Sequence, residues 1–433
     1  MRPASQLGLP AVALLLSAPL GVAVVLPSGP EIQVSVGSGS SHSGPQVAVF
    51  PDGGFMIVWT VGPIAGGKTV IHAREFAADG APLTGEFRLI PAAAVSQRAT
   101  AVAVDRDGSF LLAWEEGATV ADGQEIAAEA VYVRRISRHG TTPLGRRFLV
   151  HAPSPNARYG GHLAIRADGE IAVTWSSLDL GPPGTQCPFF DTVARVFHAG
   201  GSPAGPEILV EMGDPGICDN TLNSAPTGVV WNADGTFTVA FGDFALDTGY
   251  AAYLRRFTAA GRALRPLVDL EGEHQCEETD PALGQARDGS LIVAWQGFGC
   301  EGYAIQAQRF SASLAGISRQ GRVSRRIAGM QVSPALAVLA DGGYVVVWDD
   351  SADRNGYGPP GRDGDGDGIF GRSFAADGTP QSRDFQVNVA TAGNQADPAI
   401  AATPDGGAVV AWDEPDADGS RSRAVLARRL RPY

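Results

Sequence analysis

Residues 334–348 read P-A-L-A-V-L-A-D-G-G-Y-V-V-V-W, and this stretch decides the fold. Two apolar runs rich in strand-forming residues flank Asp341-Gly342, a dipeptide that is favoured in tight hairpin turns. The stretch therefore predicts a β-hairpin whose second strand ends on a tryptophan.

The same pattern recurs along the whole chain. Asp-Gly turns begin at Asp52, Asp107, Asp168, Asp234, Asp288, Asp341 and Asp405, at intervals of 55, 61, 66, 54, 53 and 64 residues. Seven residues after each aspartate stands an aromatic residue: Trp59, Trp114, Trp175, Phe241, Trp295, Trp348 and Trp412. Repeats of this length are typical of propellers and solenoids, in which one unit cannot bury its faces alone.

Each unit contains four strand-like runs, which we name a to d. In the first unit they cover residues 46–50, 55–61, 69–76 and 86–90, and seven such units predict an all-β, seven-bladed propeller with four-stranded antiparallel blades. The last unit stops after run c. Residues 31–36, E-I-Q-V-S-V, resemble run d of the sixth unit, D-F-Q-V-N-V, so we expect this N-terminal strand to complete the last blade and to close the ring.

The repeated unit resembles that of bacterial exported β-propeller repeat proteins, whose units have the form P-x-V-A-x-L-x-D-G-G-F-V-V-x-W followed by G-I-x-x-R-x-F-x-x-x-G. The resemblance covers nearly the whole chain after the first 30 residues. It implies a fold, and no agreed activity is attached to it.

The N-terminus has the pattern of a secretory signal. Arg2 supplies the positive charge, and an apolar stretch that ends in small residues follows it. We therefore divide the chain into a signal peptide (1–23), a linker (24–30) and one propeller domain (31–433), and we expect a secreted or periplasmic protein. The alternative is a retained membrane anchor, because the apolar run approaches the length of a membrane span.

Composition limits the classes of partner. The net charge of −13 argues against nucleic acid, because phosphate binding needs clustered positive charge. No later segment is long and apolar enough to span a membrane, and we expect a monomer. The four cysteines form no C-x-x-C pair, and an even number in an exported chain favours disulfides, which we predict as Cys187–Cys218 and Cys276–Cys300.

Loop length separates the two faces of the predicted propeller. The a–b turns are short and uniform, whereas the connections from b to c and from d to a vary, notably at residues 176–191, 212–225, 271–280 and 349–367. Binding sites usually lie on variable loops held by a rigid scaffold. The face with the b–c and d–a loops is therefore the candidate binding face.

The loop G-R-D-G-D-G-D-G at residues 361–368 places Asp363, Asp365 and Asp367 at alternate positions. Calcium loops present successive carboxylates in this way, which makes calcium a possible cofactor. The acidic residue that would end an EF-hand-type loop is missing, since Phe374 stands there. The neighbouring residues Asp349, Asp350 and Asp353 would have to supply it; the alternative is a solvated acidic loop.

Other acidic residues also follow the b runs: Glu115, Glu116, Asp243, Asp413, Glu414, Asp416 and Asp418. Paired carboxylates serve glycoside hydrolysis when they stand at a defined separation, but a sequence does not define that separation. The same charges would also keep the face soluble. The sequence contains no nucleophile elbow, phosphate-binding loop or histidine ligand spacing, so we identify no catalytic residue.

Each c run carries an arginine near its end: Arg74, Arg135, Arg195, Arg256, Arg309, Arg372 and Arg429. Seven repetitions indicate a structural role, because an active site is needed only once. We expect these guanidiniums to pair with turn aspartates or turn carbonyl groups. The aromatic residues of the b runs are expected in the core between blades.

Three functions remain compatible with the sequence. The first is a non-enzymatic, exported scaffold that binds an extracellular protein or glycan through the b–c/d–a loop face. The second is a polysaccharide hydrolase or lyase on a propeller fold, and the third is a structural component of the cell envelope. The absence of a catalytic motif favours the first.

Overall fold

The computed structural model of the chain describes residues 24–37, 40–64, 67–91, 95–117, 128–140, 142–153, 157–179, 189–211, 224–245, 249–270, 277–298, 303–325, 329–351, 362–415 and 423–433. These ranges contain 28 β-strands and no helix, hence no helix that could span a membrane. The expected signal peptide, residues 1–23, lies outside them.

The strands form seven antiparallel sheets of four strands each. The first strand, β1 (Val25–Gln33), belongs to the last blade. Blade one contains β2 (Ser41–Val49), β3 (Phe55–Ile64), β4 (Lys68–Phe76) and β5 (Phe87–Arg88), and blade two contains β6 (Ser96–Val104), β7 (Phe110–Gly117), β8 (Ala128–Ile136) and β9 (Phe148–Leu149). Blade three contains β10 (Arg158–Ile165), β11 (Ile171–Asp179), β12 (Phe189–Phe197) and β13 (Ile208–Glu211).

Blades four to seven repeat this arrangement. Blade four contains β14 (Ser224–Trp231), β15 (Thr236–Ala245), β16 (Gly249–Thr258) and β17 (Val268–Asp269), and blade five contains β18 (Glu277–Gln285), β19 (Leu291–Phe298), β20 (Ala304–Phe310) and β21 (Gly321–Arg322). Blade six contains β22 (Met330–Val338), β23 (Tyr344–Ser351), β24 (Gly368–Phe374) and β25 (Phe385–Gln386). Blade seven contains β26 (Ala396–Ala402), β27 (Ala408–Pro415), β28 (Arg423–Pro432) and β1.

The blades stand in a closed ring, which confirms the predicted seven-bladed propeller. The seven a strands, β2, β6, β10, β14, β18, β22 and β26, contact one another around a central channel. The a–b and c–d turns lie at one end of the strands, which we call the tight-turn face. The b–c and d–a connections lie at the other end, which we call the loop face.

The N-terminal strand closes the last blade, as predicted. Strand β1 pairs with β28 as the outermost strand of blade seven, from Val25 opposite Pro432 to Gln33 opposite Leu426. The strand both begins and ends earlier than the expected residues 31–36, so that most of residues 24–30 are strand and not linker, and residues 34–36 follow the strand. The prolines in this segment resemble a linker in sequence, but an edge strand tolerates them because one of its sides forms no ladder.

The core is divided into seven apolar clusters, one between each pair of neighbouring blades. The b strands are buried on both faces, as their continuous apolar runs predict. All seven predicted aromatic residues of these strands are fully buried, at 0% exposure. They are packing residues and not an exposed platform for sugar rings.

The Asp-Gly turns follow from backbone geometry. In blade one, Gly53 N donates to Phe50 O (2.9 Å), and Gly53 has a φ of 86°, which a residue without Cβ adopts at little cost. The Asp52 carboxylate accepts a hydrogen bond from Gly54 N (3.1 Å). Aspartate and glycine are therefore both needed for the turn, which explains their recurrence.

Candidate functional site

Every a strand contains a β-bulge near its loop-face end, where the pairing with strand b shifts. A bulge turns its side chains away from the regular pleat, and bulges are frequent next to functional sites. In five blades the bulge contains a residue with positive φ: Gly44, Gly160, Asp280, Ser333 and Asp397. The bulges place these residues around the loop-face mouth of the channel.

Three consecutive blades, five to seven, carry a side chain where glycine would be favoured. Asp280, Ser333 and Asp397 have φ values of 52°, 52° and 53°. A non-glycine residue in this region costs roughly 1–3 kcal/mol, and such strain is concentrated at functional sites. Asp280 and Asp397 are exposed and Ser333 is half-buried. We call these three residues the channel crescent.

The surroundings of Asp280 disfavour negative charge. Burial among the inner strands raises the pKa of Asp280, although the hydroxyl of Thr279 donates a hydrogen bond to its carboxylate (3.1 Å). Asp280 nevertheless keeps solvent-accessible surface. A carboxylate in such a place gains from a ligand that donates hydrogen bonds to it.

A recurrent hydrogen bond connects four of the seven bulges to the preceding blade. The residue that directly follows the buried aromatic of strand b accepts a hydrogen bond from a bulge N–H of the next blade. The four pairs are Thr60 Oγ1 with Ala99 N (3.2 Å), Glu115 Oε1 with Gly160 N (2.5 Å), Gln296 Oε1 with Ser333 N (3.4 Å) and Asp349 Oδ2 with Asp397 N (3.4 Å). We call these contacts bulge latches.

Asp349 differs from the other latch residues in its electrostatics. It is 5% exposed, and its Oδ1 has no hydrogen-bond partner among the described residues. Burial raises the pKa of Asp349 well above its ordinary value, and the nearby carboxylates of Asp397, Asp413 and Asp367 raise it further. The carboxyl group is therefore held towards its neutral form.

Two of the acidic residues that follow strand b are occupied by structural contacts. Besides its latch, Glu115 forms an ion pair with Arg98 (2.8 Å). Glu116 accepts hydrogen bonds from Trp114 Nε1 and Gln97 Nε2 (both 3.1 Å) and pairs with Arg147 (2.6 Å). This arrangement favours a scaffold role over a pair of catalytic carboxylates.

The remaining acidic residues of this group are more dispersed. Asp243 lies in β15, Asp413 and Glu414 lie in β27, and Asp413 is fully buried. Asp353, Asp416 and Asp418 lie outside the described residues.

The acidic loop at Asp363, Asp365 and Asp367 packs against the connection to blade seven. Asp363 accepts a hydrogen bond from Asp365 N (3.2 Å) and one from Asn388 Nδ2 (3.3 Å). Asp365 accepts one from Gly393 N (3.3 Å). No group of three or more acidic, histidine or cysteine side chains in the described ranges is arranged to hold a metal ion. Calcium binding by this loop stays a prediction.

Four of the strand-c arginines lie next to a–b turns on the tight-turn face. Arg309 pairs with Asp288 (2.6 Å) and Arg429 with Asp405 (2.8 Å). Arg256 pairs with Asp234, and Arg135 with Asp105 at the start of its turn. All four directly precede the last apolar residue of strand c.

The other three arginines occupy a different position, one residue earlier, and point to the opposite side of the sheet. Arg74, Arg195 and Arg372 each donate Nε to a carbonyl of the c–d connection, at Thr84 (3.1 Å), Gly205 (3.0 Å) and Ser382 (3.1 Å). Arg74 and Arg372 also donate to carbonyls of the preceding blade, Arg74 to Gln33 at the end of its strand d (3.1 Å) and Arg372 to Val323 directly after its strand d (2.9 Å). The seven arginines thus form two structural sets and not one.

The predicted disulfides, Cys187–Cys218 and Cys276–Cys300, lie outside the described residues, so the pairing stays a prediction. The channel crescent, by contrast, is well described but was not predicted. Its signal in the sequence is the residue before proline at the start of strand a, in Asp280-Pro281, Ser333-Pro334 and Asp397-Pro398.

Comparison with known proteins supports the fold. No protein-family model and no curated protein matches the chain. Among solved structures, a protein of unknown function from Dyadobacter fermentans is similar, with a TM-score of 0.56 and 10% identity over 94% of this chain and 99% of that chain.

Two enzymes are also among the similar solved structures. The polysaccharide lyase Uly1 has a TM-score of 0.50 and 10% identity, over 95% of this chain and 97% of that chain. An α-L-arabinofuranosidase from Fusarium graminearum has a TM-score of 0.46 and 12% identity, over 94% of this chain and 98% of that chain. Structural similarity at identities this low concerns the fold and shows nothing about activity.

Proposed function

We propose that the protein is an exported, non-enzymatic propeller that binds a glycan at the loop-face mouth of its central channel. The observation that carries this proposal is the channel crescent. Asp280, Ser333 and Asp397 adopt a conformation that favours glycine, and glycine does occupy the equivalent position in blades one and three. The fold therefore does not require side chains at these positions. Binding of a ligand would explain why residues that strain the backbone are present there.

The chemistry of the crescent suits a ligand rich in hydroxyl groups. Each carboxylate accepts several hydrogen bonds, and the serine hydroxyl both donates and accepts. Hydrogen bonds to charged groups contribute about 1.5–3 kcal/mol each when solvent is excluded. A sugar residue in the channel mouth would satisfy these groups better than water alone.

A glycan array tests the proposal, with the chain from Val24 as the probe. We expect the double variant D280N/D397N to capture glycan at least about tenfold less than the unmodified chain. The matched control is D79N/D377N, which makes the same charge change at two exposed c–d turns of the tight-turn face. Asparagine retains the acceptor that binds Ala81 N and Thr379 N there. Equal capture by both double variants would contradict the proposal.

The same assay, repeated with calcium and with a chelator, tests the predicted calcium loop. Loss of capture on chelation that is reproduced by D363N would support a role for Asp363, Asp365 and Asp367. Unchanged capture on chelation would show that calcium binding by this loop does not contribute to glycan binding.

One observation favours a second candidate, a polysaccharide hydrolase or lyase. Asp349, whose pKa burial raises, contacts the backbone of Asp397, whose side chain is exposed. A protonated acid next to a second carboxylate is the arrangement used by glycosidases. Cleavage of a captured glycan by the unmodified chain but not by D349N would establish the enzyme instead.

A further inference from the structure

The central channel also opens on the tight-turn face, away from the proposed glycan site. A cavity of about 430 Å³ lies there, lined by residues of blades one, two, five, six and seven. Its apolar wall includes Val49, Val104, Val338 and Ala402, and its polar groups include Arg106 and Arg287.

The turns do not require these two arginines. Arg106 and Arg287 directly precede the turn aspartates of blades two and five, and the equivalent residues of the other blades are Pro51, Ala167, Ala233, Ala340 and Pro404. Proline and alanine suit this turn position because it adopts an ordinary helical φ. Arginine in two blades that face the same cavity is therefore not explained by turn formation.

The charge of the two guanidiniums is not compensated within the described part of the chain. Neither side chain forms a hydrogen bond or an ion pair there, although the protein carries a net charge of −13. The one carboxylate among the residues that line the cavity, that of Asp105, is already paired with Arg135. The turn carboxylates of Asp288 and Asp405 are paired as well, with Arg309 and Arg429.

We propose that this cavity is a binding site for a small oxyanion, a carboxylate or sulfate group, held by Arg106 and Arg287. Guanidinium groups bind both oxyanions through paired N–H donors, and the apolar wall reduces competition from water. The occupant can be a free anion or the acidic group of a saccharide. This site is independent of the channel crescent, which lies at the other end of the channel.

Isothermal titration at low ionic strength, about 20 mM, tests the site with two probes, sodium sulfate and a glucuronate oligosaccharide. We expect saturable binding of one anion per chain, weakened roughly tenfold or more in R106Q/R287Q. The matched control R265Q/R319Q removes the same charge from exposed arginines of blades four and five that do not line the cavity, and we expect its affinity to change less than about twofold.

Each result decides the proposal. Binding of both probes supports a general oxyanion site, and binding of the glucuronate oligosaccharide alone identifies a saccharide as the source of the anion. If both double variants lost affinity equally, the loss would come from the change in net charge and not from a specific site, and the proposal would be overturned. Absence of saturable binding of either probe to the unmodified chain would overturn it too.

Discussion

The two faces of the propeller shift the pKa values of their aspartates in opposite directions. On the tight-turn face, hydrogen bonds from hydroxyl or guanidinium groups are the largest cause of a lowered pKa at Asp52, Asp107, Asp168, Asp234 and Asp288. On the loop face, burial raises the pKa of Asp280, Asp349 and Asp363. On the tight-turn face, hydrogen bonds within the fold stabilise the charged form of these carboxylates. On the loop face, burial of these three side chains destabilises it.

This difference has a defined dependence on pH. An aspartate with a lowered pKa contributes stability above its unfolded value of 3.8, and this stability is lost as the pH falls through the folded value, about 2 for Asp168. An aspartate with a raised pKa contributes stability that is complete below 3.8 and is lost as the pH rises through the folded value. At neutral pH the tight-turn carboxylates stabilise the fold, whereas the loop-face carboxylates reduce its stability.

The largest effect on stability is expected on the tight-turn face, where an arginine joins two blades. Arg372 is 8% exposed and donates to Ser382 O and Val323 O. Its replacement by alanine leaves two carbonyl groups without a donor and removes packing against Phe374, so we expect R372A to lower the free energy of unfolding by about 2–4 kcal/mol. Urea unfolding, followed by circular dichroism, measures this loss.

The control for Arg372 is R319A, at an exposed position near the c–d turn of blade five. Surface substitutions of this kind usually change stability by less than about 0.5 kcal/mol. Equal midpoints for R372A and R319A, with unchanged slopes, would show that the buried arginines do not join the blades.

The arginines also show where the sequence was sufficient and where it was not. Their recurrence correctly indicated contacts with turn groups, but treating Arg74 and Arg135 as equivalent overlooked a shift of one residue. In a β-strand such a shift moves the side chain to the other face of the sheet. The two sets became distinguishable only when the register of strand c was known.

Local signals predicted the scaffold well, because a turn depends on consecutive residues. Asp52-Gly53 specifies its turn whatever the rest of the chain does, and the unpaired strand at the N-terminus matched the missing strand of blade seven. The bulge latches depend on residues of different blades, such as Asp349 and Asp397, which are 48 positions apart. No local pattern shows that such residues meet, and so the bulge latches were missed.

The second largest effect is a difference in sign between the faces: removing an aspartate charge should raise the free energy of unfolding on the loop face and lower it on the tight-turn face. We expect D349N to raise the free energy of unfolding at pH 7 by on the order of 1 kcal/mol, because asparagine keeps an acceptor for Asp397 N without a buried charge. This gain should disappear below about pH 3.8, where the carboxyl group is protonated in both states. Urea unfolding at several pH values measures it.

The matched substitution on the tight-turn face is D288N. It removes the negative charge that pairs with Arg309 but keeps the turn acceptor, so we expect a loss at pH 7 of less than about 1 kcal/mol at this exposed pair. A stability change of the same sign in D349N and D288N would refute the electrostatic contrast between the faces.

The smallest effect tests whether the channel crescent is kept for a ligand at the expense of the fold. In D397G, release of about 1–2 kcal/mol of left-handed strain exceeds the cost of about 0.4–1 kcal/mol for the freer unfolded chain. We therefore expect D397G to raise the thermal midpoint slightly and to lower glycan capture. The reverse substitution, G44D, introduces an aspartate at a φ of 61° with no neighbour within 4 Å, so it should be destabilised by strain alone. If D397G were less stable than the unmodified chain, Asp397 would stabilise the fold itself. The strain at this position would then be no argument for a ligand on the loop face.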